Sequence, residues 1–307
     1  MNLRILIVHF GPWPSWIPYF LQTCGWNSRI DWLIFTDQPL PRNCPPHVIM
    51  HQISLQAFGE ILSSHFNISV SIHNPYKICD YRPAFGEIFK QWLNGYDYWG
   101  YSDLDLVYGN VFPFIEPHMK RKTDIIGVRE QYLAGHFALF RNTPEISSLY
   151  KLYPHYLQVF SDTRHHYGFD EKSSLIGKKL KHPGETHLRH LCSRLLEKPI
   201  RKIKFKKASI SAGENRDLDQ ISKNMARQGK ISLFRKDMVR SDLWYRKKHI
   251  PDWEIVWKNG KLIDKKTDEE LLHFHFIKSK NTKWFHPEPW RENSGFRINR
   301  KGIHIQE

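Results

Sequence analysis

Through its first half the chain alternates short apolar runs with stretches whose apolar residues recur at helical spacing. Residues 3–10 form a near-continuous apolar run closed by Gly11-Pro12, and residues 30–36 form another closed by Asp37-Gln38-Pro39. Both predict buried strands that end in turn residues. Residues 48–53 predict a third strand, and residues 16–24 and 55–66 predict the helices between. Pro83 suits a helix start, with Ala84, Phe85, Ile88, Phe89, Trp92 and Leu93 behind it and Asn94-Gly95 as the stop. Residues 97–102, 124–129 and 136–141 read as further strands. Asn142-Thr143-Pro144-Glu145 opens a helix that runs toward Phe160.

This repeated β-α-β order, with strands apolar on both faces, indicates a mostly parallel sheet covered by helices. The expected class is α/β: one Rossmann-like mixed sheet flanked by helices. Beyond residue 161 the periodicity weakens and Lys and Arg dominate, which predicts a basic, mainly helical and loop C-terminal part.

Composition narrows the class. The 11 Trp, 13 Tyr and 19 Phe fit a folded protein with a large core. No apolar run reaches the roughly 18 residues of a membrane span. The opening Met-Asn-Leu-Arg-Ile-Leu-Ile-Val-His reads as a strand, not as a secretory leader. Cys24, Cys44, Cys79 and Cys192 are scattered, with no Cys-x-x-Cys, as expected of reduced thiols in a cytoplasm. The net charge of +15 is uneven. Residues 1–140 hold ten Lys/Arg against eleven Asp/Glu, so the remainder carries +16. Residues 178–207 alone hold eleven basic residues against Glu185 and Glu197. Such a block attracts anionic lipid headgroups, phosphorylated substrates or nucleic acid, and an anionic membrane surface is the expected partner.

The sharpest chemical signal is Tyr98-Trp99-Gly100-Tyr101-Ser102-Asp103-Leu104-Asp105. Extended backbone points residues i and i+2 the same way, so Asp103 and Asp105 can meet on one divalent cation. Carboxylates suit Mn²⁺ or Mg²⁺. Lys77, Asp80 and Arg82 crowd the segment before Pro83, where they can hold phosphate and ribose or simply pair with one another. His136 follows Gly135 at a strand start and can face a ligand. Asp170 and Glu171 are candidate general bases in a His-rich polar stretch. In residues 271–280, alternation puts His273 and His275 on one side, and Lys278 and Lys280 follow. His275 can complete the coordination that Asp105 begins.

Together these segments resemble bacterial surface-polysaccharide glycosyltransferases of the GT-A fold, and the tail His275-Phe276-Ile277-Lys278 is distantly similar to the closing segment of glycogenin-like transferases. The resemblance implies residues 1–160 as a nucleotide-sugar-binding core and 161–307 as an acceptor-binding, membrane-facing region, with 271–280 returning to the active site. A nucleoside diphosphate sugar, UDP-hexose foremost, would lie across the strand ends. Val8, His9, Phe10 and Asp37 would border the nucleotide, and Lys77, Asp80, Arg82, Asp103 and Lys278 would complete the donor site. Asp103, Asp105 and His275 would hold the metal, with His136, Asp170 and Glu171 beside sugar and acceptor. The acceptor implied is a lipid-linked or polysaccharide glycan of capsule, lipopolysaccharide or exopolysaccharide synthesis, and the place a peripheral one on the inner face of the plasma membrane. Two rivals remain. One is a haloacid-dehalogenase-type phosphotransferase with Asp103 as nucleophile. The other is a nucleic-acid-binding protein using the basic block, disfavoured because no recognised binding motif accompanies it.

Overall fold

The computed structural model describes residues 1–171, 216–292 and 294–306. The expected strands form: β1 (Leu3–His9), β2 (Ile30–Thr36), β3 (Val48–Gln52) and β4 (Tyr98–Ser102), followed by β5 (Leu106–Tyr108), β6 (Ile125–Gly127), β7 (Phe137–Arg141) and β8 (Leu233–Arg235). All but β5 join one seven-stranded sheet in the order β3-β2-β1-β4-β7-β6-β8. Pairing is parallel except at β7, which runs against both neighbours. This is the expected mixed, Rossmann-like α/β architecture.

Strand alternation sorts the two cores. Ile5 and Ile7 of β1, with Trp32 and Ile34 of β2, pack on the helix Ile17–Trp26. Leu6, Leu33 and Phe35 face the other way, onto Phe58 and Leu62 of the helix Leu55–Phe66. Chain order reverses beside β1: β2 and β3 build outward on one side, then β4 returns on the other. Such a switch point leaves a crevice at the carboxyl ends of the strands.

Two expected helices are broken. The start signal before Pro83 is Asn74-Pro75, where Asn74 Oδ1 accepts the Tyr76 N–H at 3.0 Å. The 3₁₀ helix Pro75–Ala84, a short α-helix Phe85–Ile88 and a 3₁₀ turn Lys90–Trp92 follow in place of one helix over 83–93. The helix expected toward Phe160 begins at Pro144 under a Thr143 cap but is divided into three pieces. Pro154 interrupts it, because proline supplies no N–H to a continuing helix.

The C-terminal part holds more strand than the helices and loops expected. Strands β10 (Ile255–Lys258), β11 (Lys261–Asp264), β12 (Glu269–Glu270), β14 (His286–Pro287), β15 (Gly295–Asn299) and β16 (Gly302–Gln306) form a second sheet. It shares a core with the first part: Tyr19 and Val107 pack among Tyr245, Trp257, Phe274 and Phe296. A third, small sheet sets β13 (His273–His275) between β5 and β9 (Val239–Ser241). Gly109 is a close backbone approach beside β13, because a Cβ on it would collide with the Leu271 carbonyl. Cys24, Cys44 and Cys79 are free thiols. No helix among the described residues is long and apolar enough to cross a membrane. The basic block 178–207 lies outside the described residues.

Gly100 has no room for a side chain: a Cβ would lie 2.6 Å from the Ala138 carbonyl and 2.9 Å from Ile5 Cδ1. Gly100→Ala is expected to lower unfolding free energy by about 1–3 kcal/mol, read from urea denaturation. An unchanged midpoint would show that β4 can shift without cost.

Candidate active site

A cleft of about 640 Å³ opens at the switch point. Val8, His9 and Phe10 from the end of β1 line it, with Ser102–Asp105 after β4, Gly135 and His136 before β7, and His275 from β13. Asp103 and Asp105 lie in the bend between β4 and β5 and not in extended strand. Their convergence comes from how that bend is held. The Asp103 N–H donates to the His136 carbonyl at 3.1 Å, and the Phe276 N–H donates to the Asp105 carbonyl at 3.2 Å. Antiparallel pairing sets His275 opposite Leu106, so a residue 170 positions away lands beside the acid pair.

Donor atoms of Asp103, Asp105 and His275 all lie within 4.8 Å of one another. His275 Nε2 is 3.0 Å from Asp105 Oδ2, and both side chains are 6% exposed. Burial opposes the Asp105 charge, but the His275 and Lys280 cations outweigh it and hold the carboxyl well below its usual range. The same carboxylate overcomes burial at His275 and raises that imidazole above its ordinary value. Three ligands at ~2.1 Å from one ion stand about 4 Å apart at most. The observed spread therefore closes by small side-chain rotations, and two hard oxygens with one imidazole make a donor set that fits a divalent cation.

Arg82 organises the opposite wall. Its guanidinium pairs with Asp103, lies 3.0 Å from Asp170 Oδ2 and donates to the Gly135 carbonyl. Such charge-assisted forks fix geometry as well as charge. Burial pushes the Asp170 carboxyl well up, with Arg82 opposing and Glu171 adding to the rise. Glu171 is also raised by burial, and its Oε2 accepts the Gly135 N–H at 3.4 Å. His136 is buried, its ring 4.5 Å from that of His275, and burial holds it well below its ordinary value. Among the described residues its Nε2 has no hydrogen-bond partner, and it is therefore a group that a ligand can satisfy.

Several expected donor residues stand elsewhere. Lys77 and Asp80 are buried and do not line the cleft. Lys77 Nζ is 2.8 Å from Asp80, which also accepts the backbone N–H groups of Tyr167 and Phe169 at 2.9 and 3.0 Å. Desolvation makes such a pair costly to open, so both are committed to placing the loop that carries Asp170. Lys278 is exposed and outside the lining; its N–H caps on Asp242 at 2.9 Å. Lys280 reaches Asp105 instead. Asp37 is exposed and outside the lining; it accepts the Gly11 N–H at 3.0 Å. The structure adds Tyr76, Arg129, Tyr132 and His166 to the lining, with Tyr76 and His166 rings 4.5 Å apart. Tyr76 directly precedes Lys77 and His166 lies in the His-rich stretch before Asp170, but neither has a spacing that marks it as a contact.

A family model described as "Family of unknown function (DUF6625)" matches residues 5–307. No curated protein matches the chain. Among solved structures it is similar to the galactosyltransferase LgtC in complex with donor and acceptor sugar analogues. The identity is 8% and the TM-score 0.33, over 55% of this chain and 71% of that one. That likeness is too distant to transfer any residue or role.

Two expectations follow from the geometry. Asp80→Ala strands Lys77 and two backbone N–H groups, and should cost about 3–5 kcal/mol in a urea unfolding curve; a loss below 1 kcal/mol would deny the pair its structural role. The Asp105–His275 pair should show a pH window. Asp105 is held low, so its share is present above about pH 4 and is lost as pH falls through its depressed value. His275 is held high, so its share is complete below about pH 6.5 and is lost as pH rises through its raised value. A double-mutant cycle of Asp105→Asn and His275→Gln should therefore give its largest coupling, about 1.5–3 kcal/mol, between those limits. A coupling independent of pH would contradict the ion pair.

Proposed function

For this chain, which belongs to that family of unknown function, we propose a metal-dependent glycosyltransferase that moves a sugar from a nucleoside diphosphate sugar to a glycan hydroxyl. The observation that carries the reading is the convergence of Asp103, Asp105 and His275 in a cleft at the switch point of a Rossmann-like sheet. A divalent cation bound by these three, Mn²⁺ or Mg²⁺, supplies Lewis-acid neutralisation of the charge that develops on the leaving diphosphate.

The chain's own groups do the rest. Val8, His9 and Phe10 border the nucleotide at the end of β1. Arg82 fixes the Asp103 carboxylate and keeps a second positive charge near the reacting bond. Asp170 and Glu171 lie beside Gly135 and Arg82, with carboxyl groups that burial raises above the usual carboxylate range, the direction that makes a carboxylate a stronger base. In an inverting course one of them takes the acceptor proton; in a retaining course both only border the acceptor. His136 offers its buried Nε2 to a sugar hydroxyl. UDP-hexose is the first donor to try, and a lipid-linked or polysaccharide acceptor of surface-glycan synthesis is the expected partner. Contact with an anionic membrane rests on the +16 charge beyond residue 140.

The phosphotransferase alternative needs Asp103 as a free nucleophile, whereas Arg82 pairs with it. Asp105→Ala should abolish Mn²⁺-dependent turnover across a panel of UDP-, GDP- and dTDP-sugars while the urea midpoint shows a folded protein. A folded variant with full turnover would remove the metal from the account.

A further inference from the structure

Lys280 stands on the acid that the proposed metal needs. Its Nζ is 2.6 Å from Asp105 Oδ2, the same oxygen that His275 Nε2 approaches at 3.0 Å. The chain around the lysine is anchored. The Asp242 carboxylate accepts the N–H groups of Lys278 and Ser279, and the Lys280 N–H donates to the Phe276 carbonyl at 3.3 Å. The 3₁₀ turn Ser279–Asn281 is thereby fixed to the end of β13. The side chain beyond it is 28% exposed, so its ammonium approaches the buried Asp105 from the open side of the cleft.

Two carboxylates face three protein cations: Arg82 on Asp103, and Lys280 with the raised His275 on Asp105. His275 gives up its proton to become a ligand, whereas Lys280 keeps its charge. Arg82 is forked onto Asp170 and the Gly135 carbonyl as well, and is held from three directions. Among the described groups, Asp105 is the ion-pair partner of Lys280. A divalent ion on the same Asp105 oxygen meets a like charge at contact distance, and the lysine is the cation that can leave.

We propose that Lys280 is an exchangeable counter-ion. A divalent cation binding Asp103, Asp105 and His275 displaces the ammonium from Asp105, and the released ammonium pairs with the diphosphate of the donor. This rests on the metal-dependent reading above. It makes metal and diphosphate bind cooperatively, because the diphosphate gives the displaced charge a partner, and such coupling is reciprocal. The lysine thus resists metal alone and favours metal together with nucleotide.

Calorimetric titration of Mn²⁺ into the full chain, with and without UDP, tests this in the parent, Lys280→Met, Lys280→Gln and Asp105→Asn. The two lysine variants should bind Mn²⁺ alone roughly tenfold more tightly than the parent, and UDP should strengthen Mn²⁺ binding less in them than in the parent. Lys280→Gln serves if Lys280→Met does not fold. Mn²⁺ affinity that is unchanged or weaker in the folded lysine variants, with binding still lost in Asp105→Asn, overturns the counter-ion and leaves the metal site standing. Mn²⁺ binding that Asp105→Asn does not weaken, or none in the parent and lysine variants alike, overturns the metal site and the counter-ion with it.

Discussion

The buried Asp105 carboxylate is the constraint around which the cleft is arranged. An isolated charge at that depth would be expelled or neutralised. It is retained because His275 and Lys280 reach it from a segment more than 160 residues further along the chain. That contact requires β13 to lie against β5, which in turn requires the close approach at Gly109 and the shared core of Val107 and Phe274. The electrostatics of one oxygen and the docking of the C-terminal part are one fact seen at two scales.

Arg82 does for the facing wall what His275 does for Asp105. It joins the bend after β4 to the loop before β7 and to Asp170, three chain segments on one guanidinium. Behind it, the Lys77–Asp80 pair grips the backbone at Tyr167 and Phe169 and so sets where Asp170 emerges. The cleft therefore has a cation-ready side and a raised-carboxyl side, with His136 between them. Charge separated in this way suits departure of an anionic group on one side and loss of a proton on the other.

Much of this was legible along the chain. Six of the first seven strands and the helix Leu55–Phe66 follow from apolar runs bounded by turn residues, since local periodicity decides both. The acid pair and His275 were readable from spacing, although the convergence depends on a bend that alternation does not describe. Lys77 and Asp80 misled because a motif shows which charges are near in sequence, not which are buried together. The choice between Lys278 and Lys280 depended on the 3₁₀ turn at Ser279–Asn281, which has no periodic signal. The β10–β11 hairpin did carry a signal: Asn259-Gly260 between apolar-alternating strands, both with positive φ, is the favoured two-residue turn.

The most direct measurement is anomalous diffraction from crystals grown with Mn²⁺ and UDP. A manganese peak bounded by Asp103, Asp105 and His275, with the diphosphate on its open side, is the expected result. A peak at any other place, or a nucleotide bound away from the ends of β1 and β4, would contradict the assignment of this cleft as the site of sugar transfer.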